Sequence, residues 1–253
     1  MLEDSQRAGV FNLRRALTRG FGPADYAGPI PFGTAPIGLA VSPDGRWLYA
    51  TSEVASRSAG MQGTLSVISL PRAETDPAAA VVATVGAGCN PVRVVASADG
   101  REVWVTARAS DDLLCFSAAA LPDHPAKALV AVVRVGEAPV ELMLVRDGSR
   151  VVVADSNGFS TPGATSDLSV VNVAAALAGQ GAATRADTGR PVPSRDGARA
   201  GPPAAAGVEL RLWPARGGQR PQHLVGRHDG DVSGCPGPPL SVSRKLPPPR
   251  HER

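Results

Sequence analysis

Aromatic side chains are scarce: three Trp, two Tyr and five Phe in 253 residues. Any core must therefore be filled by aliphatic and β-branched groups. The aromatic row on which single-stranded nucleic acid would stack is missing. Cysteine is rarer still. Three residues, Cys89, Cys115 and Cys235, cannot form a disulfide framework, and their spacing matches no zinc pattern. Apolar runs are short and broken by Gly and Pro, so none can span a bilayer as a helix. Residues 1–10 carry Glu3, Asp4 and Arg7 and lack the apolar segment of a signal peptide, so the chain as written is expected in the cytoplasm. Gly20-Phe-Gly22 and Gly86-Ala-Gly88 lack the third glycine and following helix of a phosphate loop, and no Gly-x-Ser-x-Gly elbow occurs. With 43% apolar residues, the chain can still bury a substantial core, as one large domain or two small ones.

Charge divides the chain. Residues 1–177 hold 14 basic and 17 acidic groups, whereas residues 178–253 hold 12 and 6. The net charge of +3 thus comes from the C-terminal part. That part also carries 12 of the 24 prolines and 12 of the 28 glycines, a composition that cannot pack a core. The expected organisation is a folded body over 1–177 and a disordered Arg/Pro/Gly-rich tail over 178–253.

The body repeats. Pro36-Ile-Gly-Leu-Ala-Val-Ser-Pro-Asp-Gly-Arg-Trp-Leu-Tyr-Ala-Thr aligns without a gap with Pro91-Val-Arg-Val-Val-Ala-Ser-Ala-Asp-Gly-Arg-Glu-Val-Trp-Val-Thr and with Pro139-Val-Glu-Leu-Met-Leu-Val-Arg-Asp-Gly-Ser-Arg-Val-Val-Val-Ala. Asp44, Asp99 and Asp147 fall at one offset from the proline, each followed by Gly. Asp-Gly between β-rich runs predicts a hairpin with a type I′ turn. A strand precedes each hairpin, at Pro29–Gly33, Val81–Val85 and Val130–Val135, and another follows, from Leu65, Leu113 and Leu168. Four-stranded units at this period predict propeller blades, here over about 29–73, 79–121 and 129–177. Val10-Phe-Asn-Leu-Arg-Arg-Ala-Leu17 matches Val170-Val-Asn-Val-Ala-Ala-Ala-Leu177, so an edge strand of a preceding blade is expected over 10–17; the competing reading is a short helix. The fold class is all-β: a partial β-propeller of about three four-stranded blades plus one edge strand.

The unit resembles the YVTN-type β-propeller repeat, the family of lactonase-like and surface-layer-type propellers. Its motif maps onto Tyr49-Ala-Thr-Ser52, Trp104-Val-Thr-Ala107 and Val152-Val-Ala-Asp155, with the Asn absent from all three. The resemblance covers 10–177. It implies an intact ring of about seven blades, export of intact relatives, and a substrate or partner at a channel mouth. A binding or interaction scaffold is the expected function, with a truncated lactonase-like hydrolase or an inert frameshift product as alternatives. Open blade edges also invite self-association.

The tail has a second reading. One base forward, the codons of Arg185–Asp196 can encode Gly-Arg-Ile-Pro-Ala-Gly-Arg-Phe-Pro-Arg-Glu-Met, which repeats the strand-Gly-x-x-Pro junctions at Val85–Val92 and Val135–Leu142. Those of Glu209–Gln219 can likewise encode a run similar to Asn157-Gly-Phe and Ser169–Asn172. A change of frame between about Leu177 and Thr184 is therefore expected. It also explains the tail arginines as a product of GC-rich codons rather than of nucleic-acid binding.

Candidate chemistry is sparse. His223, His228 and Cys235 lack a fourth ligand, so no metal is expected, and no cofactor motif occurs. Cys115 reads as a packed apolar residue and His124 as part of a Pro-flanked turn, which leaves no nucleophile–base pair in the body. The recurring aspartates read as turn formers rather than calcium ligands. The loops after the third strand of each unit vary in length, as ligand-contacting loops on a scaffold do. Their polar groups, Glu53, Arg57, Arg108, Asp155 and Asn157, are the candidate ligand-binding residues.

Overall fold

A computed structural model describes residues 6–55, 62–156, 166–186 and the backbone of 243–244. Fifteen strands follow one another: β1 Arg7–Phe11, β2 Tyr26–Pro31, β3 Thr34–Val41, β4 Trp47–Val54, β5 Gln62–Ser69, β6 Val81–Cys89, β7 Pro91–Ala96, β8 Glu102–Ala107, β9 Asp112–Ser117, β10 Leu129–Arg134, β11 Pro139–Val145, β12 Arg150–Asp155, β13 Asp167–Asn172, β14 Ala183–Ala186 and β15 Ser243–Arg244. They form antiparallel sheets in the orders β1-β2, β15-β6-β5-β4-β3, β10-β9-β8-β7 and β11-β12-β13-β14. The chain is mostly β and builds partial propeller blades.

The sheets are displaced by one strand from the units 29–73, 79–121 and 129–177. The strand before each Pro…Asp-Gly hairpin is hydrogen-bonded to the preceding hairpin's sheet. β6 pairs with β5 and β10 with β9, so the sheets run over 34–89, 91–134 and 139–186. The third sheet takes its outer strand from Ala183–Ala186, beyond Leu177 and at the end of the span in which a change of frame is expected. Here the tail does what β6 and β10 do, because an outer strand needs only backbone pairing along Leu168–Val171.

The edge strand expected over 10–17 is corrected: the strand is Arg7–Phe11, and α1 (Leu13–Arg19) follows it. The Asn12 side chain accepts a hydrogen bond from the Arg15 N–H at 2.9 Å and starts the helix. Its counterpart Asn172 caps α4 (Val173–Leu177) through Ala175 N at 3.1 Å. The same passage from strand to helix recurs at α2 (Leu70–Thr75) after β5 and α3 (Ala120–Asp123) after β9.

The hairpin turns also depart from expectation. At Asp44-Gly45 and Asp99-Gly100 only the glycine has positive φ, so these are not type I′ turns. Each is held by a serine three residues ahead of the glycine. Ser42 Oγ donates to Asp44 (2.5 Å) and Ser97 Oγ to Asp99 (2.7 Å), while Ser42 also accepts the Trp47 N–H and Ser97 those of Arg101 and Glu102 from beyond the turn. The third unit has Val145 in place of the serine, and there Arg146, Asp147 and Gly148 all adopt positive φ. The serine hydroxyls are the main reason that the Asp44 and Asp99 carboxyls lie below the ordinary value of 3.8. Both carboxylates therefore add stability that is present above pH 3.8 and is lost as pH falls through their lower folded-state values. Replacing Ser42 and Ser97 together by Ala is expected to flatten the acid limb of a stability–pH curve, read by urea denaturation at stepped pH. An unchanged limb would contradict this role.

Sheets stack face to face, and alternation along each strand feeds two interfaces. Val103 and Val105 of β8 join Tyr49, Leu65 and Phe116 between the first and second sheets. Trp104, between them in sequence, joins Leu113, Val133, Val151 and Val153 between the second and third. Ile30, Ala50 and Ile68 pack β1-β2 on the first sheet. Burial, and secondarily Asp44, pushes the Tyr49 hydroxyl up to about 12.

Candidate functional site

The ends of β4, β8 and β12, equivalent second strands of the three hairpins, come out on one rim. Positive-φ corners brace it. Ala35, Asn90 and Ala138, each just before the proline that opens a unit, have φ of 52°, 47° and 51°. Arg108 N donates to the Asn90 carbonyl (3.0 Å) and Ser156 N to that of Ala138 (3.1 Å), which fixes the second strand's end to the corner.

On this rim Glu53, in β4, and Arg108, just past β8, form an ion pair of 2.7 Å. Glu53 is 15% and Arg108 34% exposed, so the pair is partly withdrawn from water and joins the first blade to the second. Asp155 behaves differently. It ends β12 fully buried, and its carboxylate accepts the Ser169 hydroxyl at 2.6 Å, while Ser169 Oγ accepts the Gly136 N–H at 3.0 Å. Asp155 is thus a structural anchor beneath the rim rather than a loop group facing solvent. Arg57 and Asn157 lie outside the described residues.

Sequence reasoning missed two further pairs. Arg134 meets Asp111 (2.9 Å), whose other oxygen accepts Ala138 N (2.9 Å). Arg93 of β7 meets Glu141 of β11 (2.8 Å), linking the inner strands of the second and third blades. The alignment contains a signal for the latter pair. Arg93 and Glu141 occupy the same position, second after the proline, with opposite charge, and Gly38 fills it in the first unit.

Among the described residues no group of three or more His, Cys, Asp and Glu could hold a metal ion. Cys89 is disulfide-bonded. Cys115 is a free, fully buried thiol between the second and third sheets. Burial first, and Glu102 second, raise its pKa well above that of an ordinary thiol, the reverse of what a nucleophile requires.

No family model matches the chain, and no curated protein matches its sequence. Solved structures do. Hydrazine synthase from Kuenenia stuttgartiensis superposes with a TM-score of 0.51 at 15% identity, over 72% of this chain and 42% of that one. A putative 6-phosphogluconolactonase from Bacteroides uniformis gives 0.40 at 14% identity over 55% and 37%, and a functionally unknown protein from Desulfotomaculum acetoxidans gives 0.42 at 10% over 58% and 41%. The chain spans less than half the length of each. At these identities the likeness concerns the fold alone.

Proposed function

We propose that the chain is part of a YVTN-type β-propeller that serves as a binding scaffold and takes a small polar molecule or a protein segment at the rim bearing Glu53 and Arg108. The observation that carries this reading is the inter-blade ion pair itself. It presents a half-covered guanidinium, held in place by Glu53, next to the variable loops. A fixed, partly desolvated guanidinium recognises carboxylate or hydroxyl oxygens with little ordering cost. Arg57 and Asn157 belong to the same loops and complete the proposed set, with Asp155 supporting it from below.

The test is nuclear magnetic resonance of the arginine Nε–H groups, with gluconate and δ-gluconolactone as probes. A probe-dependent shift of the Arg108 signal, abolished by Glu53→Ala, supports the site. A silent Arg108 overturns it, and turnover of the lactone would replace the scaffold with a hydrolase. Because the pair is only partly withdrawn from water, Glu53→Ala and Arg108→Ala should each lower folding stability by no more than about 2 kcal/mol, with Arg108→Ala the costlier since it strands the more covered Glu53. Denaturation midpoints of both variants check that loss of the shift is not loss of fold.

A further inference from the structure

We infer that Cys89 is bonded to Cys235, and that this bond and strand β15 together form a redox-sensitive strap that holds the segment 235–244 against the outer edge of the first blade. The pairing of the cysteines follows by elimination. Cys89 is disulfide-bonded, Cys115 is free, and Cys235 is the third cysteine of the sequence. Cys235 lies outside the described residues, but the strand that follows it does not. β15 pairs with β6 antiparallel, Ser243 opposite Thr84 and Arg244 opposite Ala83. Followed backwards from Ser243, the chain therefore runs toward the Cys89 end of β6. From Thr84 to Cys89 is five residues of strand, about 17 Å. From Ser243 back to Cys235 is eight residues, which can span up to about 28 Å. The segment reaches Cys89 with slack. A parallel pairing would point it the other way, toward Val81.

The two anchors differ in strength, and this makes the strap switchable. β15 contributes two residues of backbone pairing, which is too short to hold by itself. The disulfide places a fixed point eight residues from it. Without the bond, the described strand that precedes β15 is β14, which ends at Ala186, 57 residues before Ser243. The shorter loop favours the paired strand by about twentyfold in closure entropy. A dithiol reductant opens the strap. One of its thiolates attacks a sulfur of the bond and forms a mixed disulfide, and its second thiolate displaces the protein sulfur. Two electrons and two protons pass to the protein, the Cys89–Cys235 bond becomes two thiols, and the reductant leaves as its own disulfide. The outer edge of β6 is then unpaired and open to an added strand. The anchored end lies beside the rim, because the Cys89 carbonyl accepts the N–H of Ala109 at 3.0 Å. Neither anchor uses Glu53 or Arg108, so the strap is independent of the rim reading.

The full chain, with free thiols blocked, is first digested by trypsin without reductant. Residues 73–93 and 228–244 each hold one cysteine and should emerge as one linked pair. Hydrogen exchange read by mass spectrometry then compares the chain with and without dithiothreitol. Reduction should speed exchange by about twentyfold at the β6 amides that β15 covers, and leave β7 and β8 unchanged. Cys235→Ser should show the fast rate without reductant and no response to it, and circular dichroism checks that it is folded. Recovery of Cys89 as a blocked thiol or linked to Cys115 overturns the inference, as does a digest without residues 228–244. So does exchange in β6 that ignores the reductant, or that accelerates equally in β7 and β8, since the bond would then do nothing for this edge or would support the whole fold.

Discussion

Trp104→Ala is expected to lower the unfolding free energy by about 3–5 kcal/mol, the range for truncating a fully buried aromatic. Trp104 is the largest fully buried side chain among the described residues. It sits mid-strand in β8, opposite Val95 on one side and Cys115 on the other. Its ring fills the space between the second and third sheets, where Leu113, Val133, Leu142, Val151 and Val153 meet it. All of these are aliphatic, and none is long enough to close the void. Domains are stable by roughly 5–15 kcal/mol in total, so the loss removes a large share. The indole N–H has no hydrogen-bond partner, which sets up a contrast. Trp104→Phe leaves a smaller void and also removes the orphaned donor. These effects oppose each other, and the variant is expected within about 1 kcal/mol of the parent. Urea denaturation followed by circular dichroism measures both. A Phe variant as unstable as the Ala variant would show that indole shape, not burial, sets the cost.

The three hairpins are legible in the sequence because their determinants are local. A proline opens each unit, and Asp-Gly closes the turn at one fixed offset. Strand alternation then predicts that Trp104 and its neighbours Val103 and Val105 face opposite ways. The phase of the sheets is not local. Whether β6 joins the hairpin before it or after it depends on how blades succeed one another, and Val81–Val85 looks the same in either case. Asn12 shows a different limit. The likeness of 10–17 to 170–177 is real, but both segments are strand then helix, and the switch turns on one capping amide. At the rim, Glu53 and Arg108 lie 55 residues apart, and their pairing follows only from blade stacking. Asp155 stands where the other units have Ser52 and Ala107. Small residues at those positions hint at a tight, inward-facing site, which makes a buried carboxylate the structural reading of Asp155.

Gly38→Ala should cost about 3 kcal/mol, at the high end for overpacking, because the obstacle is backbone. A Cβ on Gly38 would lie 2.5 Å from the Val92 carbonyl oxygen and 2.6 Å from Thr51 Oγ1. The inner strands of the first and second blades meet here, and a clasp holds them. Gly38 N donates to Thr51 Oγ1 (2.9 Å), and the Thr51 hydroxyl donates to the Val92 carbonyl (3.1 Å). An added methyl must push β7 away or break both bonds. The flexible end of a side chain could yield cheaply, but a backbone carbonyl at the β7 irregularity, held by the Thr51 hydroxyl, cannot. Gly136→Ala makes the comparison that isolates this argument. Its Cβ would collide with the Asp155 side chain, both its carboxylate and its Cβ, so the obstacle there is a side chain. Asp155→Gly, which removes the Cβ that the new methyl would meet as well as the carboxylate, should recover most of the Gly136→Ala loss, with a coupling above about 1 kcal/mol in a double-mutant cycle. Thr51→Ala should recover little of the Gly38→Ala loss, since the Val92 carbonyl remains. Equal rescue at both sites would mean that the inner strands of the first two blades are free to separate, and that the clasp does not hold them.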